Sequence, residues 1–477
     1  MPSPIPRLFA AATDGRLSNP RIQDQQLRRL HASLVDNTRA IEEAISKDTG
    51  HTAAEVAIEI ALTLRCVGAQ IAAIDGDKEL EDEYRVAHGR NAEDRVETKR
   101  GVAYVEPAKH TVLYSVVAAM SAAVGAACCV VVLLENTTQE LPRLLRKLLT
   151  ESMDADIFAV ISAAPASEEL DKMMQVLQSR SVREPGFHQV VSPTESRVIT
   201  IVDRSADVEV AAQALVNARF AFGGSSPYAP DLVLVNEFVK TDFLRAATRK
   251  ATYIAAGRSG KMRREKKKEE SHEGKGVNVV ASGSWGSIQE VLERQAKTLR
   301  GKNEQNVLVV HAIRSLDDAI ELTNEDDDTL LASYIFSDLP SAKYLSQFIK
   351  SRASFVKHIP LPLLLGPAAP VGHATSPVYR YTTSMFTEPR PVLVKDANTR
   401  REYDELLLSE SPQKTQEMIQ NAKSDIKPAK ARPLKAAPFG YFEQGILIGL
   451  ASVATPVFVG IGSLGYYLLT QSNFRRT

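Results

Sequence analysis

Cysteine is scarce in this chain of 477 residues, which holds only Cys66, Cys128 and Cys129. Two of them are adjacent in an apolar run, an arrangement that suits neither an ordinary disulfide nor the spaced ligands of a structural zinc. A disulfide-stapled secreted domain is therefore excluded, no metal centre is expected, and a reducing compartment is. Charge of one sign is also missing, since Lys+Arg 58 balances Asp+Glu 58. No overall field draws the protein to a polyanion, and nucleic acid is not expected as a partner. The opening stretch MPSPIPRLFAAATDGRLSNPRIQ has no continuous apolar core of secretory length, so a cleaved leader is not expected either. What is present is 44% hydrophobic and 24% charged, the balance of a globular chain long enough for two packed domains.

One long apolar run stands out near the C-terminus. Residues 445–470, GILIGLASVATPVFVGIGSLGYYLLT, carry no charge. At ~1.5 Å per helical residue the run exceeds the ~30 Å hydrocarbon thickness of a bilayer. It has no polar face beyond Ser and Thr, which can bond back to their own helix, so it reads as a transmembrane helix, with the anchor assigned to 441–471. Lys423, Lys427, Lys430, Arg432 and Lys435 precede it and only Arg475 and Arg476 follow, which places the body in the cytosol and makes the segment a tail anchor. Gly460, Gly462 and Gly465 match the dinucleotide fingerprint formally, but that motif needs a preceding strand and a following crossover helix, and we assign these glycines to helix packing. Gly445 and Gly449 make a GxxxG step of the kind that lets helices approach.

Ahead of the anchor, helical and strand patterns alternate. IQDQQLRRLHASLVDNTRAIEEAISKDTG has helical spacing and stops at Gly50, and AAEVAIEIALTLRCVGAQIAAI continues as a second helix. VETKRGVAYVEP alternates like a strand. YSVVAAMSAAVGAACCVVVLL reads as a buried helix running into a buried strand, ELPRLLRKLLTES as an amphipathic helix and DIFAVIS as a strand. RVITIVD, ADVEVAAQALVNARFAF, DLVLVN and VKTDFLRAATRKATYIA repeat the strand-helix order, as do NVLVVHAI, LDDAIELTN and ASYIFSDL. Such repetition is the signature of an α/β protein with parallel sheets. KMRREKKKEESHEGKG reads as a solvated surface insertion, and the polar, Pro- and Lys-rich residues 411–440 as a linker.

The order of these segments resembles the aldehyde dehydrogenase superfamily over roughly residues 10 to 400. The layout is most similar to its membrane-anchored fatty aldehyde dehydrogenases. The resemblance is carried by ITIVDRSADVEVAAQALVNARFAFGGSSPYAPDLVLVNEFVKTDFL, with Val202, Asp203, Asn217, Gly224, Ala229, Pro230 and Asp231 in place, and by MDADIFAVIS, LDDAIELTN with SYIFS, and YRYTTSMFTEPRPVL. It implies a Rossmann-type cofactor domain over 1–195, to which 380–410 return, a catalytic-type domain over 196–379, and dimerisation through RVETKRGVAYV and RPVLV.

The resemblance also implies a chemistry: a thiolate attacks an aldehyde, a nicotinamide takes the hydride, donors hold the oxyanion, and a carboxylate activates water. The matching positions depart from it. The nucleophile position is Pro227, which offers neither an attacking atom nor an amide hydrogen. The oxyanion Asn position, in the step Pro107-Ala108-Lys109, is Lys109. The cofactor-ribose Lys position is Leu134, and the base region is Pro193-Thr194-Glu195-Ser196. The glycine turn for the pyrophosphate is missing from SAAPASEELDKMMQVLQSRSVREPGFHQVV. The expectation is a catalytically inactive, membrane-anchored scaffold or regulator that needs no cofactor. The alternative is an oxidoreductase acting on long-chain aldehydes with NAD or NADP through an altered site, for which Ser225, Ser226, Tyr228, Glu195 and His188 are the candidates. Lone histidines His110 and His373 are expected to be structural. The endoplasmic reticulum is the membrane implied by the resemblance, with the peroxisome and the mitochondrial outer membrane as alternatives.

Overall fold

The computed structural model describes residues 3–88, 96–182, 184–258, 276–303, 305–325, 328–390, 403–404, 406–408, 411–425, 445–452, 454–456 and 463. The chain divides into two compact units, Met1–Val394 and Lys395–Thr477.

The first unit opens with helices α1 (Ile5–Thr13), α2 (Pro20–Asp36), α3 (Thr38–Thr49), α4 (Ala53–Ala73) and α5 (Gly76–Ala87). The single helix expected up to Gly50 is two, α2 and α3, parted at Asn37, whose side-chain amide turns back to bond Ser33 O at 2.8 Å. Gly50 ends α3 at φ 68, the left-handed conformation that a glycine adopts without strain. Thr52 and Glu55 form a reciprocal capping box that starts α4.

Next come β1 (Val96–Thr98), β2 (Val102–Glu106), α6 (Val112–Gly125), β3 (Cys129–Leu133), α7 (Glu140–Ser152), β4 (Phe158–Ile161), α8 (Ser167–Leu170), β5 (Met174–Leu177) and β6 (Gln189–Val191). A five-stranded sheet runs β4-β3-β2-β5-β6, parallel throughout. The alternation expected for VETKRGVAYVEP fails in β2, which is buried at every residue. β2 is the central strand, covered on both faces, and such strands have no solvent side. The chain then adds β7 (Val198–Val202), α9 (Val208–Phe220), β8 (Leu232–Asn236), α10 (Lys240–Arg258), β9 (Val277–Gly283), β10 (Gly286–Val291), β11 (Val307–Ile313), α11 (Leu316–Asn324), β12 (Ala332–Phe336), α12 (Leu339–Phe348) and β13 (Ser354–Val356). The resulting seven-stranded sheet runs β13-β12-β7-β8-β11-β10-β9, parallel except for the β9–β10 hairpin. β14 (Thr387–Pro389) pairs antiparallel with β1.

Ala53–Ala87 is long and apolar enough to cross a bilayer by length and composition. Its α4 portion buries Val56, Ile60, Cys66 and Val67 in the core. Of the transmembrane helix expected over 441–471, the described part is the apolar helix Gly445–Pro456, shorter than the ~20 residues a span requires. Apart from Ser463, the rest of that segment, with Gly460, Gly462 and Gly465, lies outside the described residues, as do Arg475 and Arg476. So does most of the charged insertion KMRREKKKEESHEGKG. The expected linker begins as a helix, Pro412–Asp425.

Candidate functional site

Two places matter: the loop that carries the nucleophile position, and the crevice of the five-stranded sheet. The loop follows α9. Phe222 (φ 50), Gly223 (φ 68) and Gly224 (φ 71) lie in the left-handed region one after another, an arrangement that an L-residue such as Phe222 resists unless it is held. It is held. Phe222 N donates to Glu55 Oε1 at 2.9 Å, and its ring meets the edges of His51 and His110. A Cβ on Gly224 would collide with the Asn306 side chain.

Beneath the loop lies Arg219, fully buried on α9. It donates to Pro230 O and Gly224 O at 3.2 Å and to Asn303 O at 2.9 Å, with Gln305 O as a fourth acceptor. Burial brings this guanidinium down to about 10, against the pull of Asp231. Asp231 ties the same loop to its sheet: it accepts from Val198 N at 2.7 Å, Asn303 N at 2.9 Å and the Lys302 ammonium at 3.0 Å. Lys302 also donates to Pro227 O at 2.7 Å and Ser196 O at 3.1 Å. The pair of buried Asp231 with part-buried Lys302, together with buried Arg219, thus fixes the backbone on both sides of Pro227.

The candidate side chains of the loop are placed as follows. Pro227 is partly buried and Ser225 exposed. Ser226 is buried, its Oγ accepting from Tyr228 N at 3.2 Å. Tyr228 is enclosed: its hydroxyl accepts from Ala369 N at 3.1 Å, its carbonyl accepts from the Tyr334 hydroxyl at 3.0 Å, and its ring lies under the Arg380 guanidinium. Glu195 is exposed on a bend ahead of β7, and His188 is partly exposed at the start of β6; among the described residues neither is hydrogen-bonded to a loop serine. The three cysteines are buried elsewhere, and desolvation pushes the thiols of Cys128 and Cys129 up to about 12. His110 is structural as expected: its Nε2 donates to Leu364 O at 2.8 Å, which fixes the neutral tautomer.

The crevice lies where β2 leads towards β3 and β4 on one side while β5 and β6 lie on the other. At such a switch point, outside the carboxyl ends of the strands, α/β sheets bind ligands. Sequence reasoning missed the residues gathered there. Gln178 accepts from Ala108 N at 2.9 Å and donates to Ser115 O at 2.8 Å, and the Ser179 hydroxyl donates to Pro107 O at 3.0 Å. Arg180 grips Glu106 with two donors, at 2.8 and 2.7 Å. Their only signal was polarity directly after the apolar run MMQVL. Lys109 is exposed beside them, whereas Leu134 is buried in the core. Lys109 brings an exposed cation to this edge, whereas the charge of the half-exposed Arg180 is offset by Glu106. Among the described residues no helix links β5 to β6, so the donors there come from side chains instead of a helix N-terminus.

No protein-family profile matches the chain, and no curated protein is significantly similar to it in sequence. Solved structures are similar in fold. AldH of Staphylococcus aureus, in a substrate-bound state, superposes with a TM-score of 0.60 at 14% identity, over 83% of this chain and 94% of that one. The aldehyde dehydrogenase KauB of Pseudomonas aeruginosa gives 0.61 at 16% identity, over 81% and 86%. A cysteine-to-alanine variant of aldehyde dehydrogenase C from Pseudomonas syringae, complexed with NAD+ and octanal, gives 0.61 at 15% identity, over 83% and 89%. The chain has the aldehyde dehydrogenase fold. The expectation that no cofactor is needed is corrected by this likeness. A neighbour of the same fold holds NAD+, and the losses at Leu134 and at the glycine turn concern individual contacts and leave the parallel sheet and its switch point intact.

Proposed function

We propose that this chain is a membrane-anchored protein of aldehyde dehydrogenase fold that takes a nicotinamide dinucleotide at the switch point of its five-stranded sheet, yet does not oxidise aldehydes through a thiol. It serves as a scaffold or regulator. The observation that carries this reading is the loop around Pro227: no thiol is present in it, Ser226 and Tyr228 are committed to backbone partners, and Arg219 and Lys302 hold the backbone from below. In the cofactor crevice, Lys109 would face the diphosphate, and Arg180 would join it only by releasing Glu106. The bound nicotinamide supplies hydride-accepting capacity, which the chain's own residues leave without a nucleophile to feed it.

Three further parts of the reading rest on sequence. The uncharged segment 445–470 with its one-sided basic flank supports anchoring, with the body in the cytosol. The endoplasmic reticulum is the membrane we assign by resemblance, ahead of the peroxisome and the mitochondrial outer membrane. Homodimerisation is likewise inferred from the resemblance.

The test uses the full-length protein in a non-ionic detergent. Calorimetry with NAD+ should show saturable binding, and NAD+ with octanal should yield no NADH. Absence of binding would sink the cofactor assignment. NADH production that disappears in Ser225→Ala would replace this reading with the oxidoreductase alternative.

A further inference from the structure

Arg380 is only 3% exposed, and its guanidinium lies against the ring of Tyr228, the residue after Pro227. Its Nη2 donates to Leu363 O at 3.2 Å and to Leu365 O at 3.1 Å. Its Nε and Nη1 are buried as well, and among the described residues they meet no acceptor. A guanidinium keeps its proton in proteins, so a full positive charge and two free donors are held out of water together.

Among the described residues nothing nearby supplies the opposite charge. The titratable groups that feel Arg380 are Cys66 on α4, His110 and Tyr114 at the start of α6, Tyr334 on β12 and the adjacent Tyr381. All are neutral near pH 7. Burial raises the Cys66 thiol and the Tyr114 and Tyr334 hydroxyls, raises Tyr381 to about 12, and lowers the His110 imidazole to about 4. The buried acids of the region serve other groups. Glu55 accepts from Phe222 N at 2.9 Å, Glu59 from Tyr114 N at 3.4 Å, and Asp231, which acts on Tyr334, is paired with Lys302.

We propose that Arg380 holds one small monovalent anion, of halide size, at its Nε and Nη1 donors. A water molecule there would satisfy the donors and leave the charge unanswered, whereas an anion does both. The enclosure sets the size. Tyr114, Tyr228, Tyr334 and Tyr381 are all fully buried, so an organic acid has no way past them while the fold stays closed. The anion bears on the loop after α9, because it keeps the guanidinium against the Tyr228 ring, whose hydroxyl accepts from Ala369 N at 3.1 Å.

The experiment heats full-length protein in non-ionic detergent in sodium gluconate, with chloride or bromide exchanged in at constant ionic strength, and follows the fluorescence of Trp285. The unfolding midpoint should rise by several degrees as halide replaces the larger gluconate, in step with the logarithm of halide concentration. Arg380→Gln should abolish that dependence. This variant also loses the bonds to Leu363 and Leu365, so wild-type crystals grown in bromide give a second reading that does not require it to fold. An anomalous-scattering peak is expected in contact with Nε and Nη1. A midpoint indifferent to halide, a halide dependence that persists in Arg380→Gln, or bromide peaks confined to the surface with water alone beside Arg380 would overturn the proposal. NAD+ binding is measured separately, so failure here leaves the preceding reading untouched.

Discussion

Glu59 on α4 is 1% exposed, and its carboxylate accepts from Tyr114 N at 3.4 Å at the start of α6. Among the described residues its second oxygen has no partner. Desolvation pushes this acid up from 4.5 to about 7, although the α6 amides pull the other way. The folded state therefore binds the proton more tightly than the unfolded chain. The stability this contributes is full below pH 4.5 and is lost as pH rises to about 7. His110 behaves oppositely: burial brings its imidazole from 6.5 down to about 4, so its contribution is present above pH 6.5 and is lost as pH falls towards 4. The two slopes oppose one another in the same window. Glu59→Gln should unmask a stability that rises with pH, and should exceed the wild type by about 1–3 kcal/mol above pH 7. His110→Gln should unmask the reverse slope. Trp285, the single tryptophan, is buried against Phe220 at 4.8 Å and reports unfolding in urea. A Glu59→Gln variant less stable than wild type above pH 7 would show that the buried charge has an undetected partner.

The loop after α9 is the element on which the functional reading turns. Replacing Arg219 by Met leaves four carbonyls, those of Pro230 and Gly224 buried, without their donor, and a loss of roughly 3 kcal/mol is expected, read by the same tryptophan signal. Gly224→Ala adds strain at φ 71 and a collision with Asn306, and should cost about 1–3 kcal/mol. Ser225→Ala, exposed and uncommitted, should change stability by less than about 0.5 kcal/mol, and comparison of the three separates scaffold from surface. The loop's boundaries were legible: Asn217, Gly224 and the Ala229-Pro230-Asp231 turn match a known pattern. Its support was not. Arg219 and Lys302 are 83 residues apart in sequence, and only the juxtaposition of α9 with the segment before β11 brings both to one loop. The strands β5, β6 and β13 also escaped the sequence reading, because short segments such as QVV or SFV carry too few residues to show a period.

For the molecule as a whole, the proposed anchor is the part of the reading most open to a direct test. A charge in mid-span costs about 2.5–3.5 kcal/mol on insertion scales, so Val457→Arg should weaken membrane retention and truncation after Pro438 should abolish it. Full-length protein should resist alkaline extraction, and protease outside intact organelles should digest the body while sparing a small tail fragment. Recovery of the full-length chain in the supernatant, or a protected body, would remove the anchor and its orientation together.

Apolar periodicity was enough to set the α/β class and the helices α4, α6, α7, α9 and α11, because these depend on residue type and local spacing alone; Pro227, Lys109 and Leu134 stand out only against the motif positions that the resemblance implies. The tertiary structure decided the rest. Gln178 and Arg180 reach a crevice only through the parallel pairing of β2 with β5. Glu59 is an acid near neutral pH only because α6 and its apolar neighbours take it out of water. Spacing along the chain records which residues share an element; it does not record which elements meet, and burial, pairing and charge all follow from that meeting.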